Sequence, residues 1–234
     1  MDVSLVIPAY NERDNLTPLV AECDSVLGRL EDGHHEILLI EDGSLDDSAA
    51  VLDGLERDYP RLRTIRHVRG SNIGCHPSEL EGLRACRGDV ALFLPADLQI
   101  MPTTLPLFLS AAADADIVAS RRVNRADNVA RRALSLANNR VERFVMGVNV
   151  RDAHSSMLVN RRVLDEVVPL IMSRSALIPA ELLLRARRRG FRITEVDISH
   201  HPRAAGRQTG AKFSEILKVQ FDMLRLRRAI ARET

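Results

Sequence analysis

Through its first half the chain alternates short β-rich runs with longer helical stretches, and few folds accommodate that order. Val3 to Ile7 is followed by Asn15 to Leu30, Glu36 to Ile40 by Asp46 to Asp58, and Leu62 to Val68 by Ser78 to Cys86, before a fourth run at Val90 to Leu94. A strand–helix–strand order of this kind builds a parallel sheet whose crossover helices cover both faces. Asp32-Gly33, Asp42-Gly43, Asn72-Ile73-Gly74 and Arg87-Gly88-Asp89 punctuate the boundaries. With 234 residues and 45% hydrophobic content the chain buries one sizeable core, so the expectation is a single doubly wound α/β domain with a short tail.

Beyond Asp97 the pattern loosens. Pro102 to Ala113 reads as a helix, Asp116 to Ser120 as a strand and Arg131 to Met146 as an Arg-rich helix, and an irregular stretch follows. Glu181 to Arg189 reads as helical and Arg192 to Val196 as a strand, while Ser199 to Gly210 carries the His, Arg and Gly of a mobile loop. Phe213 to Ile230 is a basic amphipathic helix, suited either to covering the core or to touching a membrane surface as well.

Charge divides along the chain. Residues 1–117 carry 9 Lys and Arg against 21 Asp and Glu, whereas residues 118–234 carry 24 against 11, for a net charge of only +1. An acidic half beside a basic half suits a metal and nucleotide site next to a surface that holds phosphates or anionic lipid headgroups, although solvated helix faces produce the same bias. No stretch approaches the ~20 apolar residues that cross a bilayer, and the start of the chain lacks the layout of a signal peptide. Cys23, Cys75 and Cys86 have neither a CxxC nor a zinc-ligand spacing, and His154, His200 and His201 add none, so a reducing cytoplasm is the expected compartment. Two Tyr, six Phe and no Trp leave little for base stacking, which argues against nucleic acid as a partner. No glycine-rich loop with a phosphate-binding lysine occurs, since the chain's lysines are Lys212 and Lys218.

Two segments gather chemistry. Val3-Ser4-Leu5-Val6-Ile7-Pro8-Ala9-Tyr10-Asn11-Glu12 carries a strand into a turn with an acid, and Ile37 to Ile40 runs into Glu41-Asp42-Gly43-Ser44-Leu45-Asp46-Asp47-Ser48. Adjacent parallel strands would thus bring carboxylates to the carboxyl edge of the sheet, where open α/β sheets bind ligands. Either segment alone is equally readable as a helix cap.

The two together resemble the IPAYNE and DDGSxD signatures of family 2 glycosyltransferases, especially the dolichyl-phosphate mannose synthases and their bacterial polyprenyl-phosphate relatives. The similarity continues through Asn72-Ile73-Gly74, Gly82, Ala96-Asp97-Leu98-Gln99, Ala119-Ser120-Arg121-Arg122, Ser135 to Arg143 and Glu181 to Gly206. It implies a GT-A fold, with residues 1–99 as a nucleotide-sugar-binding half, 100–211 as an acceptor half and 212–234 as the basic helix. By the resemblance, Pro8, Ala9, Tyr10, Glu12, Asp42 and Ala96 bind the nucleotide, with Asp42 accepting from the base. Asp97 and Gln99 would hold Mg²⁺ or Mn²⁺ on the sugar diphosphate. Arg121, Arg131 or Arg132, Ser135, Asn139 and Arg143 fall on the acceptor-phosphate side. Arg203 lies on a loop that closes over the diphosphate, and Asp152 stands near the acceptor, either as a base or orienting an arginine or the acceptor. Glu181 matches a family acid and equally a helix-start charge.

Two positions depart from the pattern. Pro95 replaces the first acid of the metal motif, and Ser155-Ser156-Met157-Leu158 stands where the mannose synthase relatives read Ser-Gly-Phe-Arg. The implied function is transfer, with inversion, of a sugar from a UDP- or GDP-sugar to polyprenyl phosphate by a cytoplasmic enzyme peripheral to the membrane. A soluble small-molecule acceptor and a catalytically weak nucleotide-sugar-binding protein stay open as alternatives, as does self-association.

Overall fold

The apolar runs of the first half form the parallel strands β1 (Val3–Ala9), β2 (Glu36–Glu41), β3 (Leu62–Arg66) and β4 (Val90–Phe93). The computed structural model describes residues 1–31, 33–123, 147, 150–202 and 223–230. Every position of β1 and β2 is buried, as expected of strands that helices cover on both faces. Side chains alternate between two core layers. Leu5 and Ile7 pack with Leu16 and Leu19 of helix α1 (Arg13–Leu27), and Val6 packs with Leu38, Ile40 and Leu80 and Leu83 of helix α3 (Cys75–Ala85). Helix α2 (Ser48–Asp58) adds Leu52 and Leu55 to the α1 layer.

Helix α3 sits close to the sheet because residue 82 is glycine. A Cβ there would lie 2.3 Å from Val6 Cγ1 and 2.7 Å from Ile40 Cδ1. The helix also begins three residues earlier than its hydrophobic pattern indicates, at Cys75 rather than Ser78. Gly74, with φ at +103°, makes the turn into it. The earlier start carries the helix N-terminus to the carboxyl edge of the strands.

The second half completes a seven-stranded sheet in the order β3-β2-β1-β4-β6-β5-β7. After a 3₁₀ turn at Pro102–Thr104 come helix α4 (Leu105–Ala112) and strand β5 (Ile117–Val123). The stretch read as irregular contains strand β6 (Met157–Asn160) and helix α5 (Arg161–Glu166), followed by helix α6 (Ile178–Arg188) and strand β7 (Ile193–Ser199). β6 pairs antiparallel with both β4 and β5, while β5 and β7 are parallel. The ends of β1, β2, β4, β5 and β7 therefore share one edge.

Residues 223–230 form a helix whose Met223 and Ile230 are buried in the α3-side core, the arrangement of a core-covering helix. The helix expected over Arg131 to Met146 and the proposed boundary at residue 212 lie outside the described residues. Among the described residues no helix is long and apolar enough to cross a membrane.

Candidate active site

At the carboxyl edge, the ends of three strands and the start of α3 enclose a cavity of about 520 Å³. The end of β1 contributes Pro8 and Ala9 and the turn after it Tyr10, Asn11 and Glu12; Asp42 follows β2, and Pro95, Ala96 and Asp97 follow β4. Asn72, Gly74 and Cys75 close the side nearest α3. Pro8, Ala9, Tyr10, Glu12, Asp42, Ala96 and Asp97, all singled out in the sequence, thus share one concavity.

Hydrogen bonds cross-link its walls. The Asn11 N–H donates to Ser44 Oγ (3.0 Å), and Asn11 Oδ1 accepts from the N–H groups of Leu45 (2.8 Å) and Asp46 (3.3 Å). Asn11 has a φ of +54°, a region that Asn tolerates better than most residues. Glu12, nearly buried, accepts from Asn15 Nδ2 at 2.6 Å. Gly43, at φ +71°, leaves no room for a Cβ, which would meet the Val68 carbonyl oxygen at 2.5 Å. This turn sets the direction of Asp42.

The Asp42 carboxylate is almost fully buried and organises the neighbouring loop. Oδ1 accepts from Ile73 N–H (2.9 Å) and lies 2.9 Å from His67 Nδ1. Oδ2 accepts from Asn72 Nδ2 (2.8 Å) and Gly74 N–H (2.9 Å). The helix-cap reading of Asp42 is corrected accordingly, because at the start of α2 it is Asp46 whose side chain accepts from Ser48 N–H and Oγ. A nucleobase N–H approaching Asp42 would share an oxygen that already serves the loop.

Opposite Asp42, the Asp97-Leu98-Gln99 turn has Gln99 N–H donating to Asp97 Oδ1 at 3.1 Å. His201 N–H donates to the Gln99 carbonyl (2.9 Å) and Gln99 Nε2 faces the His201 carbonyl (3.4 Å), which ties the segment after β7 to this turn. The amide nitrogen of Gln99 is thereby engaged, and its Oε1 is the atom a cation would use. Among the described residues no three His, Cys, Asp or Glu side chains cluster as a metal cage. An Asp97 carboxylate with one amide oxygen still fits Mg²⁺ or Mn²⁺, which commonly take one or two carboxylates, with phosphate oxygens and waters as the remaining ligands. Cys75 opens into the same concavity. Desolvation there, reinforced by Glu79, Asp97, Asp42 and Glu12, pushes its thiol up to about 12. The thiol therefore stays neutral and is a poor nucleophile.

The acceptor side is organised differently from expectation. Asp152, buried at the turn before β6, grips Arg122 in a two-pronged pair, Nε to Oδ2 at 2.7 Å and NH2 to Oδ1 at 2.8 Å. Of the two roles weighed for Asp152, the geometry matches the orienting one. Arg121 does not line the cavity; it forms a two-pronged pair with Asp197 of β7. Glu181 is fully buried in the first turn of α6, accepting from Arg185 Nε (2.7 Å) and from the N–H groups of Met172 and Ser173, so it is an acid at a helix start that also fastens the preceding loop to the helix. Leu158 is fully buried in β6, paired with Leu92 and Val118. Arg131, Arg132, Ser135, Asn139, Arg143 and Arg203 lie outside the described residues. Sequence reasoning passed over His67 and assigned no role to Asn11 or Arg122. Asn11 and Arg122 lie inside quoted motifs, whereas His67 meets Asp42 only through the fold.

Comparison with known proteins bears on the family and the fold. An undecaprenyl-phosphate 4-deoxy-4-formamido-L-arabinose transferase of Pseudomonas fluorescens SBW25 is 32% identical over 226 residues, covering 95% of this chain and 63% of that protein. The enzyme of the same name from Pseudomonas syringae pv. syringae B728a is 33% identical over 227 residues, covering 95% and 64%. The chain therefore spans less than two thirds of the length of these relatives. Glucosyl-3-phosphoglycerate synthase of Mycobacterium tuberculosis, solved with Mn²⁺, UDP and glucosyl-3-phosphoglycerate, shares the fold with a TM-score of 0.66 at 17% identity, over 96% of this chain and 78% of that one. The same synthase solved with Mg²⁺ and UDP gives 0.63 at 18%, over 96% and 77%. A family model described as glycosyl transferase family 2 matches residues 4–168, from β1 through α5, and the chain belongs to that family.

Proposed function

We propose that the chain transfers one sugar from a nucleoside diphosphate sugar to polyprenyl phosphate, with inversion at the anomeric carbon. The observation that carries this reading is the meeting of Pro8 to Glu12, Asp42 and Ala96-Asp97 in one cavity at the carboxyl edge. The acceptor follows from relatives named as undecaprenyl-phosphate sugar transferases. The acceptor's phosphate oxygen forms a bond to the anomeric carbon while the bond to the diphosphate oxygen breaks, and the nucleoside diphosphate leaves with the electron pair. A phosphate monoester is already ionised, so no strong base is required, which accords with Asp152 holding Arg122 rather than removing a proton.

The work left to the protein is positioning and charge. The β1 turn and Asp42 seat the base and ribose. Asp97, in the cavity wall, and the Gln99 amide oxygen two residues on are the groups that would hold Mg²⁺ or Mn²⁺ on the diphosphate; that cation would neutralise the leaving group. Arg203 is proposed to add a second positive charge, two residues beyond the His201 that is bonded to Gln99. Arg132, Ser135, Asn139 and Arg143 are proposed for the acceptor phosphate. Substrates that meet at a headgroup place the enzyme peripherally on the cytoplasmic face of a membrane.

The test combines a thermal-shift screen of UDP- and GDP-sugars, with and without Mn²⁺ or Mg²⁺, with a transfer assay. A ligand at a hundred times its Kd stabilises the fold by about 2.7 kcal/mol. Only nucleotide sugar with cation should produce the shift, and Asp97→Ala should remove the cation-dependent part. The hit should then glycosylate undecaprenyl phosphate in detergent. Product on a soluble alcohol or phosphate alone would replace the lipid acceptor, and a shift indifferent to EDTA and to Asp97→Ala would overturn the cation assignment.

A further inference from the structure

His67, the residue after β3, stands between two carboxylates. Its Nδ1 lies 2.9 Å from Asp42 Oδ1 and its Nε2 lies 2.7 Å from Glu81 Oε2 on α3. Its own N–H donates to the Glu41 carbonyl, which fixes the backbone beside β2. An ionised carboxylate only accepts hydrogen bonds, and a neutral imidazole has a single N–H, so a neutral ring would turn a lone pair toward one of the two acids. The imidazolium, with two N–H groups, satisfies both. Asp42 in turn holds Asn72 and Gly74, which line the cavity where α3 starts, and Ile73 between them.

We propose that His67 is a positioning residue for the nucleotide: as an imidazolium clamped by Glu81, it holds the Asp42 carboxylate and the Asn72–Gly74 wall in the conformation that receives the donor's base. This rests on the reading of the cavity as a donor site and adds to it a proton on which donor affinity depends. Desolvation works against the charged ring, but Asp42 and Glu81 outweigh it and hold the His67 pKa above its ordinary value. Among the described residues those two acids are the ionisable groups paired with the ring, Asp42 from the end of β2 and Glu81 from α3. Because the folded pKa is raised, the clamp is complete below the ordinary histidine pKa and is lost as pH rises through the folded value.

The test is the affinity of the full chain for UDP-glucose and GDP-mannose with Mn²⁺, measured calorimetrically from pH 6 to 9. Both probes are diphosphate diesters whose phosphates do not titrate in that range, so the profile reports on the protein up to the alkaline end, where the uracil or guanine N–H begins to ionise. Wild-type affinity should fall with rising pH, by at most about ten-fold per unit for one linked proton. His67→Gln should be weaker at pH 6 and lack this fall. Glu81→Gln leaves the ring in place and removes one of its acids, so the fall should move to lower pH, and the His67 ring followed by NMR should titrate lower as well. Should His67→Gln not fold, Glu81→Gln decides alone. A His67→Gln profile parallel to wild type, or a Glu81→Gln profile and ring titration that do not move, overturns the inference while leaving the donor site intact. Absence of binding by the wild type at every pH instead overturns the donor-site reading, and the inference with it.

Discussion

At Asp42, one carboxylate accepts two backbone N–H groups and an amide N–H and touches an imidazole, so truncating it removes more than a ligand contact. Asp42→Ala leaves the Ile73 and Gly74 N–H groups without their acceptor in a partly buried loop. Lost hydrogen bonds to a charged group typically cost about 1–3 kcal/mol. The expected result is a lower melting temperature together with a ten- to hundred-fold loss of nucleotide affinity, about 1.4–2.8 kcal/mol, read by thermal denaturation and by calorimetry on the same protein. A drop in melting temperature with normal affinity would make Asp42 a loop anchor alone. The sequence identified Asp42 through the resemblance of its acid-rich turn, and the carboxylate does line the cavity. The residues that immobilise it, His67, 25 positions on, and Asn72, 30 positions on, are brought to it by strand pairing. No local spacing encodes that contact.

Helix α3 is the element on which the cavity depends, since its first residue, Cys75, lines the wall and Glu81 supports His67. Its seat is Gly82. A methyl group there must displace Val6 or Ile40 at the centre of the sheet, and overpacking of this kind typically costs about 1–3 kcal/mol. Gly82→Ala should therefore lower the unfolding free energy, read by denaturant titration, by that amount and weaken donor binding through the displaced helix start. Unchanged stability would mean that α3 shifts outward without cost. The strands and helices of the first half were readable because each repeats a local pattern, apolar runs ended by Gly or Asp. β6 escaped because its surroundings mislead: Ser155 and Ser156 are polar yet buried, Ser155 through a hydroxyl contact with Ser120 at 2.6 Å, and β6 finds its partners near Val90 and Ile117. α5 did carry local signals. Asn160 caps it through Val163 N–H, and Arg161–Asp165 and Arg162–Glu166 pair at i,i+4.

Across the whole molecule, the sheet is fastened at the edge opposite the cavity by one buried acid. Glu36, at the start of β2, accepts from Ser4 Oγ of β1 (2.7 Å), from Arg63 of β3 (2.9 and 3.1 Å) and from the Arg87 N–H ahead of β4 (2.7 Å). Desolvation alone would raise its pKa, but the bonds from Ser4, Arg87 and Arg63 prevail and hold the carboxyl below its usual range. A depressed folded pKa contributes stability that is complete above the unfolded value, near pH 4.3, and that is lost as pH falls through the folded value. Glu36→Gln keeps the shape and one acceptor oxygen but removes the charge, and should cost about 1–3 kcal/mol at pH 7. Denaturant unfolding of both proteins from pH 7 to pH 3 should show the two stability curves converging as the wild-type carboxyl takes up its proton. Donor affinity at pH 7 should match wild type, because Glu36 lies at the far end of the strands from Asp42 and Asp97. A difference in stability that stays constant down to pH 3 would show that packing, not the charge of Glu36, joins these four strands.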